Sequence, residues 1–469
     1  MFKFPHVYGG IVAHHVSVCH KKIDQFFEKL AYSNYDLIVL LGPNHFNIGQ
    51  EDIQTSLAEY STPHGKIRTD TQVIRKFLEN DLVHVISSEM FSKEHSISGL
   101  VPYIRKYLPA SLLVPFIFKS GTSQDKCDRI AEQILRLSVA KKILVLASVD
   151  FSHYLYQAEA NFHDNISIQS INSFDFNKIF NLKLDSHPSI YTLLKYLLNN
   201  SAAKMTAVGN YTSNQFSQSK DEKVVSYFFA YFVKGKPSKS KADSIVFLGD
   251  IKSKQISSNN LFKMRLFFCS VDLILANIEG DYMEIISDKH RSYRILLDSL
   301  LENKIYAMKN RAFLNRAVIK EDVEYLSENN VGFLDKFNHG KNYFIKKLNH
   351  GRLGCLLADN VSETSPGDYA VLIKQVKAKV DYLVVFVFWN ENPPLADAKA
   401  RARQLIDQGA DIVIGNLRER TKHELHNDKL IIYSLDNFLN KNDNHSKDSI
   451  SSVGLVFDSH KKNYKYYFF

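Results

Sequence analysis

The sequence predicts an α/β protein of two domains, and three observations carry that expectation. Short apolar runs alternate with amphipathic stretches of helical length along the whole chain, the pattern of strands crossed by helices. Several runs stop in turn residues followed at once by His, Asp or Asn, where open α/β sheets hold their ligands. A polar stretch, Lys234 to Lys241, then divides the pattern in two and reads as a linker. The 469 residues exceed what one hydrophobic core usually holds. We therefore expect domains at 1–236 and 243–469.

Composition excludes several classes. With 45% hydrophobic and 23% charged residues the chain is not of the disordered type. The formal charge of +9 comes from scattered lysines without an arginine-rich or aromatic-basic block, so it reads as solvated surface and not as a nucleic-acid footprint. Cys19, Cys127, Cys269 and Cys355 lie far apart, which indicates neither a disulfide framework nor a zinc knuckle. No signal-peptide core and no apolar run of membrane-spanning length occurs. The expected location is the cytoplasm, with no membrane segment.

In the first half, Gly10–Ala13 is a short strand ending in His14-His15, and Lys22–Ala31 is a helix. Leu37–Leu41 is too short for a helix and is bounded by Asp36 and Gly42-Pro43-Asn44-His45, so it reads as a buried strand that delivers His45. Thr62-Pro63-His64-Gly65 is a turn, Thr71–Asn80 a helix and Leu82–Ile86 a strand. Glu94-His95-Ser96 falls in a loop before a helix over Gly99–Leu108. Leu112–Phe118 is strand-like, Asp125–Leu137 helical, and Lys142–Ala147 a strand opening into Ser148-Val149-Asp150-Phe151-Ser152-His153. Leu184-Asp185-Ser186-His187-Pro188 starts a helix to about Leu198, since Asp or Ser before Pro is a start signal. Val224–Val233 closes the unit.

Of 18 histidines, 11 precede the linker. Two imidazoles and one carboxylate with open positions suit non-haem iron, and zinc or copper also accept imidazole. The proposed ligands are His14, His45 and Asp185, with His187 a rival for the third place. His153 is then free to act as general acid or base. Glu94 and His95 orient a ligand ring or hold substrate. Each residue also has a plain reading: a strand-end histidine satisfied by carbonyls, or Asp185 as a helix cap.

Six segments in order, Gly10–His15, Leu41–His45, Thr62–Gly65, Glu94–Ile97, Pro102-Tyr103 and Ser148–His153, resemble the Memo-like family, also called AmmeMemoRadiSam system protein B, over residues 8 to 233. That resemblance implies an α/β sheet of the class III extradiol dioxygenase type with a metal pocket at its edge. It implies His14, His45 and the Asp185 position as pocket ligands, with His153 beside them. Asp185 stands where some members have cysteine, which shifts the preference from a sulfur-seeking metal toward iron, with copper or zinc as the other candidates. Ala13 and Ser98 are further departures. The implied partners are an AMMECR1-type protein and a radical S-adenosylmethionine enzyme.

Beyond the linker, strands at Ser244–Leu248, Leu273–Ala276, Tyr382–Phe388, Ile412–Ile414 and Leu430–Tyr433 end in Gly249-Asp250, Asn277-Ile278-Glu279, Trp389-Asn390-Glu391, Gly415-Asn416 and Ser434-Leu435-Asp436-Asn437. These segments resemble the poly-γ-glutamate synthesis (CapA-like) family over residues 244 to 440, which implies a calcineurin-like metallophosphoesterase-type α/β sandwich. Where that family has His-Trp-Gly and Gly-His-His-Pro-His, this chain has Phe388-Trp389-Asn390 and Gly415-Asn416-Leu417-Arg418-Glu419, and Lys309-Asn310-Arg311 also lacks the imidazole. A two-metal centre needs those ligands, so an inactive second domain is expected. The leading expectation is a metal-dependent redox or dioxygenase-like enzyme acting on an unnamed small molecule or peptide. Its rivals are a non-catalytic scaffold for a partner protein or peptide, and a cell-envelope polymer protein.

Overall fold

The computed structural model describes residues 5–217, 221–252, 268–279, 305–308, 343–359, 366–389, 393–415, 417, 423–435 and 452–469. It is a mixed α/β chain that divides into two compact units, Met1–Lys241 and Ala242–Phe469. No helix among the described residues is long and apolar enough to cross a membrane.

The first unit follows the alternation read from the sequence. Its elements are β1 (Gly9–Val12), α1 (Val16–Leu30), β2 (Leu37–Pro43), β3 (Ile53–Thr55), β4 (Tyr60–Thr62), β5 (Gly65–Ile67), α2 (Thr71–Glu79) and β6 (His84–Val85). There follow α3 (Ser88–Ser92), α4 (His95–Ser98), α5 (Val101–Tyr107), β7 (Leu112–Phe118), α6 (Gln124–Leu137) and β8 (Ile143–Ser148). The unit ends with β9 (Leu155–Tyr156), α7 (Gln157–Asn172), α8 (Phe176–Ile179), α9 (His187–Asn199), β10 (Lys204–Thr212), β11 (Lys223–Val224) and β12 (Ser226–Val233).

Eight strands form one sheet in the order β10-β12-β1-β8-β2-β7-β3-β6. The central strands β1, β8, β2 and β7 are mutually parallel. Every residue of β2 and β8 is buried, as expected of strands covered by helices on both faces. At the start of β1 the helices come unusually close: a Cβ on Gly9 would lie 2.8 Å from a Leu193 methyl of α9, and one on Gly10 2.8 Å from the Phe26 ring of α1. Only glycine admits both helices there.

Three expectations need correction. Helix α1 starts at Val16, before the expected Lys22, with non-helical backbone at Cys19; no Ser, Thr, Asp or Asn marks that start, which is why it went unseen. Glu94-His95-Ser96 is not a loop: Glu94 caps the single turn α4 through the Ser96 amide. The polar stretch after β12 is not free, because the Gly235 amide donates to Ser201 O at 3.0 Å and the Ser238 amide to Asn172 O at 2.9 Å. Backbone amides and the Lys234 ammonium on Asn200 O tie it down, so it needs no apolar side chain.

In the second unit, Ile305–Met308, Leu273–Glu279, Ala242–Lys252, Ser452–Asp458 and Asn463–Phe468 form one sheet in that order. Tyr343–Lys347, Arg352–Asp359, Tyr382–Phe388, Ile412–Gly415, Lys429–Ile432 and His423–His426 form another. Ile245, Phe247 and Leu275 of the first sheet share a core with Leu353, Val384 and Phe386 of the second, so the two sheets stack as a sandwich. Helices Pro366–Lys377 and Leu395–Asp407 cover the second sheet through Ile373, Val376, Ala402 and Leu405.

Helix α7 buries His163 completely, and burial, with the nearby Lys183 charge, lowers its imidazole from the ordinary 6.5 to about 3. The unfolded chain therefore takes up a proton on this residue below about pH 6.5 that the folded unit refuses until about pH 3. Stability should fall with decreasing pH across that window, by ~1.4 kcal/mol per pH unit from this group. Urea unfolding of the first unit at several pH values checks this, and His163→Leu should reduce the slope by about one proton.

Candidate metal centre

The strand order assembles the site. Strand β8 lies between β1 and β2, all three point the same way, and each is followed two residues later by a polar side chain: His14, Asp150 and His45. The same offset from three adjacent parallel strands brings three side chains to one edge. Asp185 reaches them from the turn before α9, whose cap is Ser186 and not Asp185. Its backbone is locked to the β8 loop: the Asp185 amide donates to Asp150 O at 3.2 Å and the Asp150 amide to Asp185 Oδ2 at 3.1 Å.

His14 Nε2 lies 3.3 Å from Asp185 Oδ2 and 3.7 Å from Asp150 Oδ2, and His45 Nε2 lies 3.8 Å from Asp185 Oδ2. The hydrogen-bond partners of the other ring nitrogens fix both tautomers. Ser148 Oγ donates its single proton to Ser96 O at 2.5 Å, so toward His14 Nδ1, 3.2 Å away, it acts as acceptor. His14 then carries its proton on Nδ1. His45 Nδ1 faces the Glu94 carboxylate at 2.7 Å, while the His45 amide donates to the other Glu94 oxygen at 2.8 Å. Both Nε2 atoms are thereby aimed at the carboxylate of Asp185, the orientation of metal-binding histidines. Asp185 Oδ1 is buried with no hydrogen-bond partner among the described residues.

The electrostatics suit a cation position. Burial is the largest influence on His14 and lowers it to about 4, against the pull of Asp185, so it is neutral near pH 7. Burial also acts to lower His45, but hydrogen bonds and charge from Asp185 and Glu94 outweigh it and raise the ring to about 9. Glu94 is lowered despite its burial, by hydrogen bonds from His45 and the Ser96 amide. Asp150 is raised by burial. A divalent cation in place of the His45 proton would satisfy the same carboxylates and Asp185 Oδ1.

Other expected residues fall around this centre. The His95 ring stacks on His45 with centroids 4.2 Å apart, and its ligand atom shares a cluster with those of His14 and His45. His153 stands outside the two clusters of donor atoms; its Nδ1 donates to Phe151 O at 2.7 Å. The His187 ring donates from Nε2 to Leu182 O at 2.7 Å, so that nitrogen is spent outside the cluster. Asp150 was missed as a site residue, although it belongs to a cluster with His14 and Asp185. Its equal offset from the strand end was the available signal. The buried Asp164 holds the loop that carries it, accepting from Ser152 Oγ, Ser226 Oγ and Asn210 Nδ2, each at 2.8 Å.

In the second unit, Asp250 pairs in register with Asn277, and Lys252 with Glu279. The side chains of Asp250, Asn277, Glu279 and Phe388 lie outside what is described, as do residues 309–311, 390–391, 416, 418–419 and 436–438.

A profile of the Memo-like protein family matches residues 8–231. The first half of this chain is a Memo-like domain. A second profile, bacterial capsule synthesis protein PGA_cap, matches residues 321–442, so the second half carries a PGA_cap domain, of the calcineurin-like class. Curated relatives include a MEMO1 family protein of Nitrosopumilus maritimus, 21% identical over 34% of this chain and 58% of its own length. Another, from Desulfurococcus amylolyticus, is 27% identical over 41% of this chain and 67% of its own. The chain thus spans between 58% and 67% of these two relatives. Among solved structures, one described as a novel phosphatase from Mycoplasma pneumoniae aligns with 49% of this chain and 93% of its own, at 13% identity and a TM-score of 0.35. A likeness that weak carries no argument.

The residues of the Memo-like domain that hold the ring tautomers should matter almost as much as the ligands. Ser148→Ala and Glu94→Gln should each weaken divalent-metal binding by roughly 10- to 100-fold without unfolding the domain. Competition titration with a chromophoric chelator measures this.

Proposed function

We propose that the Memo-like domain is a metal-dependent enzyme of redox or dioxygenase-like character, with ferrous iron held by His14, His45 and Asp185. The observation that carries the reading is the pair of Nε2 atoms turned toward one carboxylate, with both Nδ1 protons already committed to Ser148 and Glu94. Two imidazoles and a carboxylate oxygen form a donor set that iron accepts well, and zinc and copper accept in part. When bound, the metal supplies Lewis acidity and one-electron chemistry with oxygen.

The surrounding side chains have separate tasks. Glu94 and Ser148 keep the ligand rings in register. His153, its Nδ1 proton held by Phe151 O, offers Nε2 to take or return a proton of the substrate. His95 is half exposed against the His45 ring and positions what enters. The PGA_cap domain is read as non-catalytic, since Phe388 and Asn416 stand where its family places imidazole ligands.

Protein purified without a metal-binding tag should contain about one iron, copper or zinc per chain, or accept one anaerobically, and His14→Ala with His45→Ala should abolish it. Wild-type protein that stays metal-free after anaerobic reconstitution overturns the reading in favour of a binding scaffold. For the second domain, the full chain should show no turnover of a phosphodiester such as bis(p-nitrophenyl) phosphate with manganese present. Turnover that persists in the His14→Ala, His45→Ala protein would establish the second centre as active.

A further inference from the structure

The strands that deliver the metal centre at their carboxyl ends begin, at the opposite edge, around a cavity of ≈ 650 Å³ that the proposed chemistry does not use. Tyr8 precedes β1, Asn34 precedes β2 and Lys142 precedes β8, and all three line it together with His6 and Tyr32. The size suits a small organic ligand.

The lining is basic and aromatic. It includes no carboxylate. Lys141 is paired with Asp70 at 2.9 Å, whereas the Lys142 ammonium has no ion-pair partner among the described residues. Lys234 sits 4.6 Å above the Tyr8 ring. After burial, the charges of Lys142 and Lys234 are what hold His6 below its ordinary range, and no acid offsets them there. The nearest acid in sequence, Asp36, is exposed and accepts the Lys142 backbone amide at 2.8 Å. The carbonyl ends of α1, α6 and α9 lie at this edge and oppose an anion, each with about half a unit charge. The end of α9 is already met by Lys234 on Asn200 O. Tyr32 is 79% exposed, leaving a ring face that the fold does not spend.

We propose that this cavity binds a small phosphorylated molecule carrying a planar ring, of nucleoside monophosphate type. The phosphate oxygens accept from Lys142 Nζ, the His6 ring and the Asn34 amide, and the ring stacks on Tyr32. This site is independent of the metal centre, being built from the other edge of the sheet.

Isothermal titration of the full-length protein with AMP, adenosine and inorganic phosphate tests it. Saturable AMP binding is expected, weakened about tenfold or more by Lys142→Glu and about fivefold by Tyr32→Ala. Both side chains are exposed, so the variants should fold, and an unchanged metal content in each separates this result from failure of the metal reading. Absence of saturation by about 10 mM AMP, binding that Lys142→Glu leaves unaltered, or adenosine or phosphate alone binding as tightly as AMP, would overturn the proposal.

Discussion

Everything at the candidate metal centre depends on which ring nitrogens of His14 and His45 face inward and which are held from outside. Neutral imidazole is ambivalent, and a strand-end histidine can spend its lone pair on a nearby amide as readily as on a metal. Here the choice is taken away. A serine hydroxyl with its own proton already given to Ser96 O accepts from His14, and a buried carboxylate accepts from His45. The cost of burying Glu94 is offset by the contacts it receives from His45 and α4. Removing that carboxylate would free the His45 ring to turn, and the site would lose orientation before it lost a ligand.

That arrangement needs unusually close packing beneath it. A Cβ on Gly42 would lie 2.6 Å from Ser96 Oγ, which donates to Pro43 O at 3.0 Å. The glycine lets α4 descend onto the end of β2, and only from there does Glu94 reach His45. Asp164 performs a comparable task on the other side, fixing Ser152 against β12. Backbone approach, buried hydrogen bonds and ring tautomer are therefore one coupled constraint.

Much of this was legible in the residues. The buried parallel strands announce themselves as unbroken apolar runs, and the run Leu112–Phe118 coincides with β7 residue for residue. His14, His45 and Asp185 could be singled out because strand ends are where a sheet exposes side chains to a common crevice. What could not be read is lateral order. That β8 lies between β1 and β2 is a long-range fact with no local signature, and without it His153 looks as well placed as Asp150. Strands β3, β10 and the hairpin β4–β5 are short or only partly buried, so their side chains alternate too weakly to stand out. The task of Ser148 has no local signature, because its partner, the Ser96 carbonyl, is 52 positions away.

The two halves of the chain show how separable a fold is from its chemistry. In the PGA_cap domain the apolar interior is intact, with Phe247 against Phe386 at 5.7 Å and both faces of the second sheet covered. Packing of that kind is decided by strand interiors, where volume and alternation matter and the identity of a residue beyond the strand end does not. Ligands sit beyond those ends. On the proposed reading, this domain keeps that interior while Phe388 and Asn416 stand in place of its family's imidazoles. In the Memo-like domain the strand ends are themselves bound into the fold: Asp150 accepts the His14 amide at 3.1 Å, and Asp185 exchanges hydrogen bonds with the Asp150 backbone. Losing one of these carboxylates would leave buried donors unpaired. Stability and the proposed chemistry thus bear on the same atoms in the first domain.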